Sequence, residues 1–194
     1  MGYKDFFNAL AEHWDDMTRA DKGKLQRIIT HVALKQGQRV LDVGTGTGIM
    51  IPFLYKGLQN GGEIVAVDLA ENMLQRAREK YGSMANFVPA DAGALPFPEE
   101  TFDRILCYSV FPHFQDKRQV LRELARVLKQ SGQIIVAHSE SREQVNAFHQ
   151  SLKGLVAKDQ IPEDAVMREL ADQAGLQLQF VEHNDQLYVV KYVK

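Results

Sequence analysis

Cysteine is almost absent. Cys107 stands alone, which excludes an internal disulfide and a zinc cluster built on thiolates. No apolar run approaches the roughly 20 residues a membrane helix needs, and the first residues lack a signal-peptide pattern. Charge of one sign is also missing. The net charge is −2, which argues against nucleic acid or anionic lipid as a partner. Repeats, low-complexity tracts and linkers are absent as well. The expectation is a cytoplasmic protein forming a single domain over residues 1–194, long enough to bury a sizeable core.

What is present is concentrated in Val40-Leu41-Asp42-Val43-Gly44-Thr45-Gly46-Thr47-Gly48. A β-branched apolar run ends in an acid, glycines follow at alternate positions, and an apolar segment begins at Ile49. This reads as a buried strand entering a glycine turn that opens a helix. Glycine there permits φ > 0 and close approach of a ligand to the backbone, and the helix start adds a partial positive charge. A dinucleotide fingerprint would place its third glycine at position 49, which is Ile. A phosphate loop would continue Gly-Lys-Ser/Thr, and Gly48 is followed by Ile49-Met50. Asp42 would repel a phosphate and suits a ligand carrying an ammonium group.

A second apolar run, Glu63–Asp68, also ends in an acid. A carboxylate at that place can accept from ribose hydroxyls. With Phe87–Asp103 and Ile105–Ser139, these blocks give the chain its likeness. It resembles the class I S-adenosylmethionine-dependent methyltransferases, in particular the small-molecule group that includes the ubiquinone and menaquinone methylases. The resemblance runs from about Gln38 to Ser139.

The resemblance implies S-adenosyl-L-methionine as cofactor and assigns residues to it. Gly44, Thr45, Gly46 and Gly48 would cradle its methionine part, with Asp42 orienting the amino end. Asp68 would accept from the ribose, or cap the following helix, or both. Asp91 and the Ala92 N–H would read the adenine, with Leu69, Met73 and Leu95 sandwiching it. Tyr108 and Ser109, at the end of the fourth strand, would sit near the methyl group. The first thirty-odd residues would form a cover over cofactor and substrate, which Tyr3 and Trp14 could touch.

The element pattern is α/β. Two helices over residues 1–36 make the cover, the first carrying Phe6, Phe7, Leu10, Ala11, Trp14 and Met17 at helical spacing. Taken singly, Phe6, Leu10 and Trp14 read as plain core. The cofactor-binding core spans 37–139, with strands at Arg39–Val43, Glu63–Asp68, Asn86–Pro89, Phe102–Ser109 and Gln133–His138. Helices are expected at Gly48–Leu58, Asn72–Tyr81 and Lys117–Leu128. Residues 140–194 hold helices at Ser141–Leu155 and Pro162–Ala174, then a strand pair turning at Asn184-Asp185. By resemblance, the sheet is Rossmann-like, seven-stranded and mostly parallel, in the order 3-2-1-4-5-7-6, with helices on both faces.

Methyl transfer from a sulfonium is an in-line displacement with an activated leaving group. Positioning supplies much of the rate, and a general base helps where the acceptor is an alcohol or carbon acid. The candidates for that base are His138 and His113, with His138 foremost. Two other readings stay open. These histidines could simply hold strand ends and loops, or His113, His138 and His149 could converge on a metal, although no metal site is otherwise indicated. Cys107 lies inside an apolar strand and reads as a structural thiol. Ser109-Val110-Phe111-Pro112 differs from the motif of methylases acting on exocyclic base amines. A small-molecule methyl acceptor is the expected partner, in a monomer or a homodimer. The alternative is a cofactor-binding sensor or non-catalytic subunit, and a dinucleotide oxidoreductase stands third, opposed by Ile49.

Overall fold

A computed structural model describes residues 2–18, 20–59 and 61–194. Its strands are β1 (Arg39–Val43), β2 (Glu63–Asp68), β3 (Asn86–Pro89), β4 (Phe102–Tyr108), β5 (Leu128–His138), β6 (Gln177–His183) and β7 (Tyr188–Val193). They form one seven-stranded sheet in the order β3-β2-β1-β4-β5-β7-β6, as the resemblance implies. The first five strands pair in parallel, and β7 enters antiparallel between β5 and β6.

Burial on both faces explains why the central strands read as unbroken apolar runs. Val40, Leu106, Ile135 and Val189 face one side, where they meet Leu25, Ile28 and Val32 of α3 (Lys22–Val32) and Leu54 of α4 (Ile51–Gly57). Leu41, Ile105, Ile134 and Val190 face the other side. There they pack on Leu121 and Leu124 of α6 (Lys117–Val127) and on Met167 and Ala171 of α8 (Asp164–Gln173). α3 starts cleanly because Asp21 accepts from the Gly23 and Lys24 backbone N–H groups. Parallel strands deliver their carboxyl ends to one edge, and the order reverses between β1 and β4. A crevice for a ligand opens at such a point.

Several expected boundaries move. The first helix is broken into α1 (Tyr3–Leu10) and α2 (Trp14–Met17), with a turn at Ala11–His13. No glycine or proline marks the break. Ala11 is buried against Ala70 and Met73, so tertiary packing overrides the helical period. Phe6, Leu10 and Trp14 are half-buried rather than core, because this segment lies on the molecule and not within it. The helix after the glycine turn starts at Ile51, following a turn through Gly48–Met50. β5 begins at Leu128, which pairs with Phe102, well before Gln133. The helix after the fifth strand, α7 (Arg142–Ser151), stops short, and a separate 3-10 turn spans Leu155–Lys158. The helix between β2 and β3 is α5 (Glu71–Tyr81). No helix among the described residues is long and apolar enough to cross a membrane.

Leu106 is fully buried at the centre of the sheet. Leu106→Ala is expected to cost about 2–5 kcal/mol of unfolding free energy, measurable by urea denaturation.

Candidate active site

The glycine turn is shaped by two acids. Asp42 is buried at the carboxyl end of β1, and its Oδ2 accepts from Thr45 Oγ1 at 2.7 Å. Asp68, ending β2, holds the turn from the neighbouring strand. Its Oδ2 accepts from Gly46 N and its Oδ1 from Ala70 N, both at 2.8 Å. Asp68 therefore fastens the glycine loop and the residue before α5, but it does not cap that helix, whose N-cap position has no side-chain cap. Gly44 adopts φ +65°, and a Cβ there would overlap the Val110 side chain, so only glycine fits.

Neither acid has a cationic side chain paired to it among the described residues. Burial pushes the Asp42 carboxyl up to about 7. The Thr45 hydrogen bond opposes this and nearby Asp68 adds to it. Burial also raises Asp68, against the backbone N–H groups of Ala70, Gly46 and Leu69. Two desolvated carboxylates without a counter-ion make a place for a cationic ligand.

A cavity of about 380 Å³ lies over these groups. Gly44, Gly46, Asp68, Leu69, Met73, Asp91, Ala92 and Ser109 are on its wall. Asp91 Oδ1 accepts from Gly93 N at 2.8 Å, while the Ala92 N–H has no protein acceptor among the described residues. An acid, a free N–H and the apolar Leu69 and Met73 fit an adenine nucleoside. Of the two acids ending β1 and β2, Asp68 lines the cavity, while Asp42 lies behind its wall against Thr45 and could act on the charged end of S-adenosylmethionine only across that wall. Ser109 holds φ +52°, an unusual conformation for serine.

Other expected contacts lie behind the wall. Thr45 is buried against Asp42. Gly48 faces α4 and α5, where an added Cβ would come within 2.9 Å of Ile51 and Tyr81 side chains, so it serves packing. Leu95 is buried in the core cluster and does not reach the cavity. Tyr108 turns toward Ser139, with its hydroxyl 2.9 Å from Ser139 Oγ.

The histidines separate. His113 lines the cavity, and its Nδ1 lies 2.7 Å from Asp159 Oδ2. His138 does not reach the cavity; it is buried, with an unpartnered Nε2. Burial, with His113 and His149 nearby, pushes it down to about 3. The expected leading base thus lies behind the wall, because strand alternation puts His138 on the inward face with Ile134 and Val136. His149 meets His113 edge-on with ring centroids 5.1 Å apart, and His138 lies near both, so the three do approach one another. No group of three His, Cys, Asp or Glu side chains among the described residues is arranged to hold a metal. Burial and the neighbouring Asp42 push the Cys107 thiol up, as befits a structural residue.

Some functional positions were not visible in the sequence. Phe7 joins Tyr3 and Trp14 in roofing the cavity, and Phe114 and Gln115 complete its wall beside His113. Asp159 carries no local signal at all. Trp14 faces Gly46, standing 3.6 Å from where a Cβ would lie.

The sequence matches the methyltransferase domain family over residues 41–136. It is 39% identical over 108 residues to the ubiquinone/menaquinone biosynthesis C-methyltransferase UbiE of Edwardsiella ictaluri, covering 53% of this chain and 43% of that protein. It is 36% identical over 138 residues to the demethylmenaquinone methyltransferase of Thermus thermophilus, covering 67% of this chain and 62% of that one. The chain thus spans roughly half the length of these curated relatives. Among solved structures, the methyltransferase in a complex with the Trm112 activator of Haloferax volcanii superposes with a TM-score of 0.83 at 20% identity. That match covers 98% of this chain and 96% of the other, and it bears on the fold.

The raised Asp42 sets a pH dependence. Its folded value, about 7, exceeds the ordinary 3.8. Ionisation therefore opposes folding: the penalty is absent below about pH 4, grows as pH rises to 7, and is complete above that. Asp42→Asn is expected to stabilise the ligand-free protein at pH 8 by more than about 1.4 kcal/mol, the equivalent of one pH unit. It should do little at pH 4. Denaturant titrations at the two values check this.

Proposed function

The chain belongs to the class I S-adenosylmethionine-dependent methyltransferases, and from that premise we propose that it methylates a ring carbon of a quinol-type aromatic acceptor. The observation that supports this reading is His113, held by Asp159 and placed among aromatic side chains in the cavity that Asp68 and Asp91 also line. The names of the curated relatives, which act in ubiquinone and menaquinone biosynthesis, point the same way.

S-Adenosylmethionine, when bound, supplies an electrophilic methyl group. Asp42 and Asp68 would hold its cationic end and ribose, and Asp91, Ala92, Leu69 and Met73 its adenine. Sheet order puts β3 and β2 on one side of β1 and β4 on the other. The acceptor would therefore meet the methyl group beyond Ser109, beneath Tyr3, Phe7 and Trp14. Those apolar faces suit a flat ring and keep water away.

His113 would take the proton of a ring hydroxyl. The resulting phenolate concentrates electron density on the adjacent carbon, which attacks the methyl group. Loss of that carbon's proton then restores the aromatic ring as its phenolate, which takes the hydroxyl proton back from His113. The net change is one methyl gained and one proton released by the acceptor. With Nδ1 engaged by Asp159, the Nε2 lone pair is the basic atom left to His113. Alignment supplies much of the rate, and the base adds to it.

The test is incubation of the purified protein with methyl-labelled S-adenosylmethionine and a reduced demethylmenaquinone analogue, followed by mass spectrometry. A carbon-methylated product supports the proposal. Tight cofactor binding without turnover on quinols or an extract of small molecules would favour a sensor or subunit instead. His113→Ala is expected to lower kcat about 10²–10⁴-fold while leaving the cofactor Kd within about twofold by calorimetry. Undiminished kcat would remove His113 from the base role.

A further inference from the structure

The cover and the candidate base meet at one side chain. Asp159 is only 7% exposed, in the loop between the 3-10 turn Leu155–Lys158 and α8. Its Oδ2 pairs with His113 Nδ1 at 2.7 Å, and its Oδ1 accepts from the Tyr3 hydroxyl. Tyr3 sits at the start of α1 and His113 in the 3-10 turn after β4. One carboxylate thus joins three segments remote in sequence. Elsewhere the cover is held to α5 by Lys4–Glu71, Glu12–Arg76 and Asp15–Lys80. Those pairs are solvent-exposed and individually weak.

We propose that Asp159 is a positioning residue that couples seating of the N-terminal cover to the readiness of His113 to accept a proton. This rests on the reading of His113 as the acceptor's base. With the cover down, Tyr3 donates to the carboxylate and draws charge from it, which favours neutral imidazole. With the cover lifted, the carboxylate serves His113 alone and favours imidazolium, which cannot take a proton. The base is then available only under a closed roof, where the acceptor is shielded from water.

The balance of hydrogen bonds at Asp159 agrees. Burial raises its carboxyl, yet the His113 and Tyr3 hydrogen bonds outweigh burial and hold it below the usual range. Tyr3 is pushed up to about 12 by burial and by Asp159, so it stays a donor. Other titratable groups near His113 are His149 on α7, His138 at the end of β5, Asp68 at the end of β2 and Lys117 on α6. Burial lowers both His149 and His138, leaving them uncharged at neutral pH. Lys117 is tied to the Pro112 and Phe114 carbonyls. None of these four belongs to the cover.

The experiment follows the His113 ring by NMR against pH in the full chain with S-adenosylmethionine and no acceptor. Tyr3→Phe keeps the ring and removes the donor. It is expected to move the His113 midpoint upward. In an Asp159→Asn background the same substitution should move it no further. Trp14 is the sole tryptophan and lies in the cover, so acrylamide quenching of its fluorescence reports seating and should increase in Tyr3→Phe. An unmoved midpoint, unmoved quenching, or an equal shift with and without the carboxylate overturns the proposal. Should Asp159→Asn fail to fold, Tyr3→Phe alone decides. None of these readouts needs turnover, so a fully active His113→Ala would refute the base reading without disturbing the test of the coupling.

Discussion

Two desolvated carboxylates without a counter-ion, one buried and one on the cavity wall, govern this molecule. Asp42 and Asp68 end adjacent parallel strands, so the sheet itself forces them together. Leaving them there costs folding free energy, and the surrounding chain is arranged to limit that cost. Thr45 folds back on Asp42, and the glycine loop bends so that Gly46 can donate to Asp68. The turn needs glycine at position 44 because Val110, from the next strand's loop, fills the space beside it. The two acids are therefore left without a counter-charge, which suits a ligand with a positive centre. A scaffold optimised for stability alone would carry apolar residues at both places.

The cover completes the site in a different way. It contributes aromatic faces rather than charge, with Phe7 edge-on to both Trp14 and His113 at 5.7 and 5.1 Å. Its break at Ala11–His13 lets α1 lie over the acceptor side while α2 stays beside the glycine loop, where Asp15 reaches Thr47. A continuous helix could not follow both directions. The proposed acceptor region is thus assembled from the first residues, the turn after β4 and the loop before α8. The cavity walls expected to meet the cofactor, by contrast, come from consecutive strand ends.

That contrast explains what the sequence could reveal. Gly44, Gly46, Asp68 and Asp91 reach the cavity wall as expected, because each is fixed by its own strand and turn, so local order implies place. Gly48 has the same residue type and spacing as its neighbours, yet it faces helices. Only the fold distinguishes a glycine that admits a ligand from one that admits a side chain. His138 could have been placed better. Alternation along β5 puts it on the face of Ile134 and Val136, packed under the helices on that side, whereas proximity to a strand end suggested the cleft. Asp159 lay beyond reach, since 46 residues separate it from the histidine it holds. The sheet order was legible through resemblance alone, because strand periodicity says nothing about which strands are neighbours.

The antiparallel insertion of β7 has a consequence for how the chain acquires its shape. β6 precedes β7 in sequence but pairs with β7 alone, while β7 also pairs with β5. Until β7 is laid down, β6 has no partner and β5 keeps an open edge. During synthesis, the half of the sheet carrying β1 to β5 can form around its own hydrogen bonds, whereas the other edge must wait. Such non-local pairing is slow to form, and an open edge strand invites pairing with another chain. The interval before β7 emerges is thus the period in which this protein is most exposed to aggregation, and the last strand acts as the clasp that ends it.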